Sequence, residues 1–251
     1  MKVARFSNGA EPRFGLVDGP ELVVLEGHPL VAGYQTTGER IPLKEVKLLA
    51  PTIPSKIVCI GKNFADHAAE IGEEVTEEPL IFFKPSSAIV GHGDAIVIPA
   101  QSKQVELEAE LSLVIGKLAK NVSEEKALDY LWGVTIANDV TARDLQFGDG
   151  QWARSKGFDT FCPLGPWVET EFVPDGQVIE SRINGEVRQN VAISEMVHKI
   201  PFIISYVSKN MTLLPGDIIL TGSPAGISVI KAGDIIECEV EGIGILSNPV
   251  A

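Results

Sequence analysis

The chain has 251 residues, 45% hydrophobic but only 6% aromatic, so one large domain, or one domain with a small appendage, can close around a mainly aliphatic core. A formal net charge of −13 repels a phosphate backbone, which argues against nucleic acid as a partner and means that an anionic substrate needs a locally positive site. No apolar run approaches the roughly 18 residues that cross a bilayer, and the scattered Cys59, Cys162 and Cys238 fit neither a disulfide framework nor a zinc knuckle.

The start, Met1 to Arg5, leads into a charged segment and not into an apolar signal core, so with reduced cysteines the expected compartment is the cytoplasm. Val3–Phe6 and Arg13–Val17 read as strands of a hairpin around Ser7-Asn8-Gly9. Pro42 to Pro54 is a Pro-punctuated linker. We therefore expect a small N-terminal β-domain over residues 1–50 and a second domain over 51–251.

Ile57–Ile60 reads as a buried strand, followed by Asn63, which can cap a short helix. On that helix His67 and Glu70 are i, i+3 neighbours, the pairing that fixes an imidazole tautomer and raises its basicity. Residues 71–79 are acidic, contain Gly72 and lack apolar periodicity, so they read as a mobile loop, a candidate lid.

Residues 105–115 alternate as a strand does, with Glu106, Glu108 and Glu110 on one face and Val105, Leu107, Ala109 and Leu111 on the other. Neighbouring carboxylates are then about 6.6 Å apart, and at an effective dielectric near 20 each pair repels by roughly 2.5 kcal/mol. Either the face is solvated or a hard cation, Mg²⁺ or Mn²⁺, sits there. The alternation alone does not say which glutamates bind.

Ser123 reads as the cap of a helix running to Trp132 and stopped by Gly133. The strand 133–137 then ends in Asn138-Asp139, where strand turns into helix. Thr141 with Asp144 looks like a capping box, with Arg143 and Gln146 on the helix it opens. Pro201 suits the first position of a helix whose buried stripe is Phe202, Ile203, Tyr206 and Val207. Gly93-Asp94, Gly216-Asp217 and Gly233-Asp234 are turns that each feed a β-branched strand. The balance is β-rich α+β.

Taken in order, Ile60–His67, Phe82-Phe83-Lys84-Pro85, Glu108–Leu111, Asn138–Gln146, Ser155–Thr160 and Leu220–Gly226 resemble the fumarylacetoacetate hydrolase family from about residue 51 to the end. The resemblance implies a mixed β-sandwich roll with a small N-terminal β-domain, a homodimer, and a Mg²⁺ or Mn²⁺ ion on Glu108, Glu110 and Asp139, leaving Glu106 supporting or solvated. It implies that His67 and Glu70 are a water-activating dyad on a lid and that Lys156 stabilises an enolate. It places Lys62, Phe64, Arg143, Gln146, Thr221 and Ser223 in the motifs of the substrate pocket. Lys62 stands where many relatives carry Arg, and so lacks the bidentate fork. The implied substrate is a small 2-oxo acid. The stretch 143–157 and the ending 242–250 are most similar to the family's bacterial oxaloacetate decarboxylases, with acylpyruvate hydrolysis as a companion activity. An alternative is 2-hydroxyhepta-2,4-diene-1,7-dioate isomerase or 5-oxopent-3-ene-1,2,5-tricarboxylate decarboxylase of aromatic catabolism. A non-catalytic module that binds a metal and an organic acid would need the carboxylates but neither the His67–Glu70 pair nor Lys156.

Overall fold

A computed structural model describes all of residues 1–251. The β-rich expectation holds, and the roll is built from three sheets. At the centre of the largest, Ala109–Ile115 lies between Leu131–Asn138 and Ile218–Leu220. On one side that sheet continues through Ile57–Gly61 to Leu80–Lys84. On the other, Cys162–Glu169 joins Leu131–Asn138 to Lys2–Ser7, and the hairpins of residues 13–42 extend the same sheet. Val105–Leu107 forms a small second sheet with Thr141–Ala142 and Ser228–Val229. Val178–Ile183, Glu186–Ala192, Ile235–Val240 and Gly244–Pro249 form the third.

The central strands are buried on both faces: Leu111, Leu113, Val134 and Ile136 join the largest hydrophobic cluster, which spans Val58 to Val250, and Val114, Ala137, Ile218 and Leu220 join a second one. Ala4, Phe6, Leu22, Val24 and Ile41 make a smaller cluster of their own under the N-terminal hairpins. No helix is long and apolar enough to cross a membrane.

Several local expectations are corrected. Residues 123–132 do not form one helix. A 3₁₀ segment spans Glu124–Tyr130 without a Ser123 side-chain cap, and Leu131 already opens a strand. Sheet pairing with Ala109–Ile115 overrides the helical pattern. Gly133 is not a stop signal: a Cβ there would lie 2.5 Å from the Glu169 carbonyl oxygen of the neighbouring strand. Asn63 caps nothing. Its buried amide donates to the carbonyls of His198 and Thr221 and accepts from the His198 amide, so Phe64 precedes the helix Ala65–Glu70.

The Thr141–Asp144 box does not form either. Thr141 is a strand residue paired with Glu106, and Asp144 accepts from Ser102 Oγ at 2.6 Å and the Lys103 amide at 2.9 Å. In the helix Ile200–Asn210 the buried face holds Ile203, Ile204 and Val207, whereas Phe202 and Tyr206 are only half-buried. The Gly216 and Gly233 turns feed strands, but after Gly93 only Ile96 makes a bridge, to Val250.

Asp217 holds the start of Ile218–Leu220 to the start of Ile57–Gly61. Its buried carboxylate accepts from the Ser55 hydroxyl at 2.7 Å, the Ser55 and Lys56 amides at 3.0 and 3.2 Å and the Leu214 amide at 2.7 Å, and it pairs with the Lys56 ammonium. Burial opposes its ionisation, yet the Lys56 and amide hydrogen bonds win and hold its pKa below the ordinary aspartate value. Asp217→Ala should lower unfolding stability by about 3 kcal/mol at neutral pH. A depressed pKa contributes stability above the unfolded-state value and loses it as pH falls through the folded-state value, so the gap between wild type and variant should close below about pH 4. Urea melts across that range check it.

Candidate active site

The alternation along residues 105–115 brings carboxylates together because pairing places a fourth acid opposite them. Glu108 sits at the junction between Val105–Leu107 and Ala109–Ile115, and Glu110 lies two residues further on the same face. The Asp139 amide donates to the Glu108 carbonyl at 2.8 Å, setting Asp139 beside Glu108 at the end of its own strand. Glu108, Glu110 and Asp139 each offer an oxygen within 4.8 Å of the others, and all three are buried.

The like charges persist because buried cations are interleaved with them. Lys156 Nζ donates to Glu108 Oε2 at 2.8 Å and to Asp139 Oδ2 at 2.6 Å. Lys84 Nζ donates to Asp139 Oδ1 at 2.6 Å and to the Val140 carbonyl at 3.1 Å. Arg143 donates through Nε to Glu106 Oε2 at 2.8 Å, and its other nitrogens reach Glu108 and Gln146. Glu106, one of the two outcomes left open for it, is therefore a buried counter-ion to Arg143, not a solvated residue. Burial opposes ionisation of Glu108, but Lys156 and then Arg143 overcome it and hold its pKa well below the usual range.

Glu110 differs. It has no ion-pair partner and accepts only the Gly222 amide, at 2.6 Å. Burial, followed by repulsion from Asp139 and Glu108, pushes its pKa well above the ordinary value. An all-oxygen donor set with one uncompensated buried carboxylate suits a hard divalent cation and not a thiolate- or imidazole-seeking one.

Around the trio, Lys62, His67, Arg143, Gln146, Lys156 and Ser223 line one polar cavity, so six of the expected site residues converge. Its volume is about 20 Å³, room for an ion or a water but not for a four-carbon acid. His67 Nδ1 lies 3.2 Å from Glu70 Oε2, and the Glu70 carboxylate also accepts the Gly226 amide. Glycine is required at 226: φ is +101°, and a Cβ would lie 2.1 Å from the Arg188 carbonyl oxygen.

Two expected pocket residues lie elsewhere. Phe64 is in the hydrophobic core and bridges to Met196. Thr221 is buried behind the cavity, where its hydroxyl donates to the Leu111 carbonyl at 2.8 Å.

Four contributors escape sequence reasoning. Trp152 and Phe82 wall the cavity and pack edge to face. Lys84 sits in an apolar strand, where the incongruous charge was the available signal. Gln189 has no signal at all. Fully buried, it accepts from the Ala109 amide and donates to Ser223 Oγ and the Pro224 carbonyl, tying the third sheet to the carboxylate strand.

Residues 56–251 match the model of the fumarylacetoacetate (FAA) hydrolase C-terminal family. The chain belongs to this family. Residues 1–51 match the Rv2993c-like N-terminal family. Among relatives of this fumarylacetoacetate hydrolase family member, a Mycobacterium tuberculosis protein is 46% identical over 261 residues, covering 100% of this chain and 98% of its own. A mitochondrial oxaloacetate tautomerase of Xenopus laevis is 47% identical over 218 residues, covering 82% of this chain and 68% of its own. A crystal structure of 2-hydroxyhepta-2,4-diene-1,7-dioate isomerase from Mycobacterium marinum is 42% identical, with a TM-score of 0.93 over 100% of this chain and 98% of that one.

Replacing Lys84 tests the charge balance, because it leaves Asp139 with an unpaired buried oxygen. Lys84→Met should destabilise this family member by about 3 kcal/mol, whereas the same change at exposed Lys103 should cost less than about 0.5. Denaturant melts of the two variants make the comparison.

Proposed function

We propose that the chain catalyses proton transfer or bond cleavage at C3 of a small 2-oxo dicarboxylic acid through an enolate, with oxaloacetate as the substrate of first choice. The observation that carries this reading is the placement of Lys156 Nζ between Glu108 and Asp139 in a cavity that also holds His67. A cation, a base and converging carboxylates are the parts that enolate chemistry requires. Glu108, Glu110 and Asp139 would hold Mg²⁺ or Mn²⁺. Such an ion, when bound, supplies Lewis-acid stabilisation of negative charge on a chelated 2-oxo acid.

The chain's own groups do the rest. Glu70 takes the Nδ1 side of His67 and leaves Nε2 as the nitrogen free to accept a proton. From C3 of a 2-oxo acid, that transfer yields the enolate. Return of the proton to oxygen completes tautomerisation, the activity named for the Xenopus laevis relative. Lys156 places a positive charge beside the enolate oxygen. Loss of CO₂ breaks the C3–C4 bond and leaves the enolate of pyruvate without a base. When the proton is taken from water instead, hydroxide adds to the C4 ketone of an acylpyruvate, and cleavage of the C3–C4 bond releases a carboxylic acid and that same pyruvate enolate. Arg143 and Gln146, held to each other, face the substrate from the helix Arg143–Asp149. Residues 71–79 serve as the lid. Residues 1–50 as a separate small domain, assembly as a homodimer and a cytoplasmic location belong to the same reading.

The likeness to the Mycobacterium marinum isomerase supports a second reading, proton transfer along a conjugated dienoate, to which decarboxylation of a related tricarboxylate is the companion alternative. It uses the same base and the same enolate with a longer substrate. A module that binds a metal and an organic acid without turnover is separated from both by any turnover at all.

Exchange of the C3 hydrogen of oxaloacetate with solvent deuterium, followed by NMR in parallel with CO₂ release, tests the assignment. His67→Ala should slow the exchange by about 10²–10⁴-fold, the worth of a positioned base, and slow decarboxylation much less. Lys156→Ala should slow both. Equal losses from His67→Ala, with either activity spared by Lys156→Ala, would reverse the roles given to the two residues.

Metal dependence is tested separately. Calorimetry of chelator-treated protein should detect Mn²⁺ binding that Glu110→Gln abolishes, and chelation should remove activity that Mg²⁺ or Mn²⁺ restores. Full activity in metal-free protein would refute it.

A further inference from the structure

The lid carries a carboxylate that sits on the cavity's outermost cation. Lys62 lines the cavity, and its ammonium pairs with the side chain of Glu73. The two partners are unequal. The Lys62 side chain is 12% exposed and that of Glu73 is 39% exposed, so one charge is largely withdrawn from water while the other faces it. A withdrawn ammonium needs a partner at all times, whereas an exposed carboxylate can exchange one partner for water cheaply. Lys62 also takes a left-handed backbone conformation, φ 57°, at the end of Ile57–Gly61, a cost that a lysine does not bear for packing alone.

Glu73 is coupled to the base as well. Its amide donates at 2.8 Å to the Ala68 carbonyl, on the helix Ala65–Glu70 that carries His67. The cavity that Lys62 lines holds only about 20 Å³, and a second carboxylate reaches the Lys62 ammonium only if Glu73 leaves it.

We propose that Glu73 is an internal surrogate for the substrate's distal carboxylate. Lys62 is then the receptor for that carboxylate, and a dicarboxylic 2-oxo acid displaces Glu73 where a monocarboxylic one leaves it in place. The inference rests on the enolate reading above and adds a determinant of specificity to it. Release of Glu73 from Lys62 gives the segment freedom to rearrange around the bound acid, so occupation of the distal subsite is linked to the helix that positions the base.

The test compares oxaloacetate with 2-oxobutanoate, a four-carbon 2-oxo acid lacking the distal carboxylate, as substrates for C3 hydrogen exchange in saturating Mg²⁺. Glu73→Gln removes the competitor. It should raise the ratio of kcat/KM for oxaloacetate to that for 2-oxobutanoate about tenfold, the worth of one charge-assisted contact, through a lower KM for oxaloacetate. Lys62→Gln should lower the ratio, and the double variant should match Lys62→Gln alone. Glu74→Gln, an exposed neighbour without an ion pair, removes the same formal charge and should leave the ratio at the wild-type value. An unchanged ratio in Glu73→Gln, or an equal rise in Glu74→Gln, would overturn the proposal while leaving the enolate chemistry standing. Absence of exchange with either substrate in the wild type would sink that chemistry, and this inference with it.

Discussion

Burying like charges is the constraint around which this molecule is organised. Four carboxylates, Glu106, Glu108, Glu110 and Asp139, are withdrawn from water together with three cations, Lys84, Arg143 and Lys156. Each cation is aimed by a different element: Lys84 by the edge strand Leu80–Lys84, Arg143 by the first turn of its helix, and Lys156 by the end of Ala153–Lys156. Removal of any one leaves at least one buried carboxylate oxygen without its cation, and the low dielectric that strengthens the pairs makes that costly. The strand order follows from the same need. Only the antiparallel pairing of Ala109–Ile115 with Leu131–Asn138 sets Asp139 beside Glu108, and only the strand Ile218–Leu220 on the other side delivers the Gly222 amide to Glu110.

Strand alternation makes the carboxylate face legible in the amino-acid sequence, because a period of two is a property of the strand itself. The His67–Glu70 contact is legible for the same reason, as a consequence of helical spacing. What local pattern does not carry is partnership across the fold. Asn63 and Thr141 have the residue types of caps, but their hydrogen bonds go to His198, Thr221 and the acids. Gln189 lies 80 residues from the Ala109 amide that it accepts, and nothing in its own neighbourhood announces that contact. Nothing next to Arg143 in the chain announces its ion pairs, because its partners are 35 and 37 residues away. The family resemblance brings Lys156 to the site where spacing alone does not, but it also places Phe64 and Thr221 in the pocket. Both belong to matching motifs, yet one packs in the core and the other supports the wall from behind.

Membership of the fumarylacetoacetate hydrolase family narrows the chemistry without choosing among its outcomes. The names attached to the similar proteins, a tautomerase and an isomerase, describe different overall reactions. In the enolate reading proposed for this chain, both outcomes would place one demand on the site, stabilisation of negative charge on the C2 oxygen, and would differ in which proton moves. In that reading the first demand falls to the charge cluster at the cavity floor. In the proposed reading the second falls to groups on the helix Ala65–Glu70 and the residues that follow it. Changes confined to that segment can therefore alter the overall reaction while the floor stays the same.

That division explains why the two halves of the site are built so differently. The floor hangs from the largest sheet, is closed to water, and is held by many short hydrogen bonds, so its geometry is fixed before substrate arrives. The segment after Glu70 is exposed and is held at a few points: the Lys62–Glu73 pair, a 3.2 Å contact from His198 Nε2 to the Thr76 carbonyl, and one from Tyr206 to Glu78. Glu73 and Glu78 can turn to water when released, whereas the largely withdrawn Lys62 ammonium must then find another partner. Under the proposed enolate chemistry, a fixed floor and a segment held at few points would let a substrate enter without disturbing the acids: charge would be pre-positioned, and the base would be brought up by the same movement that shuts water out.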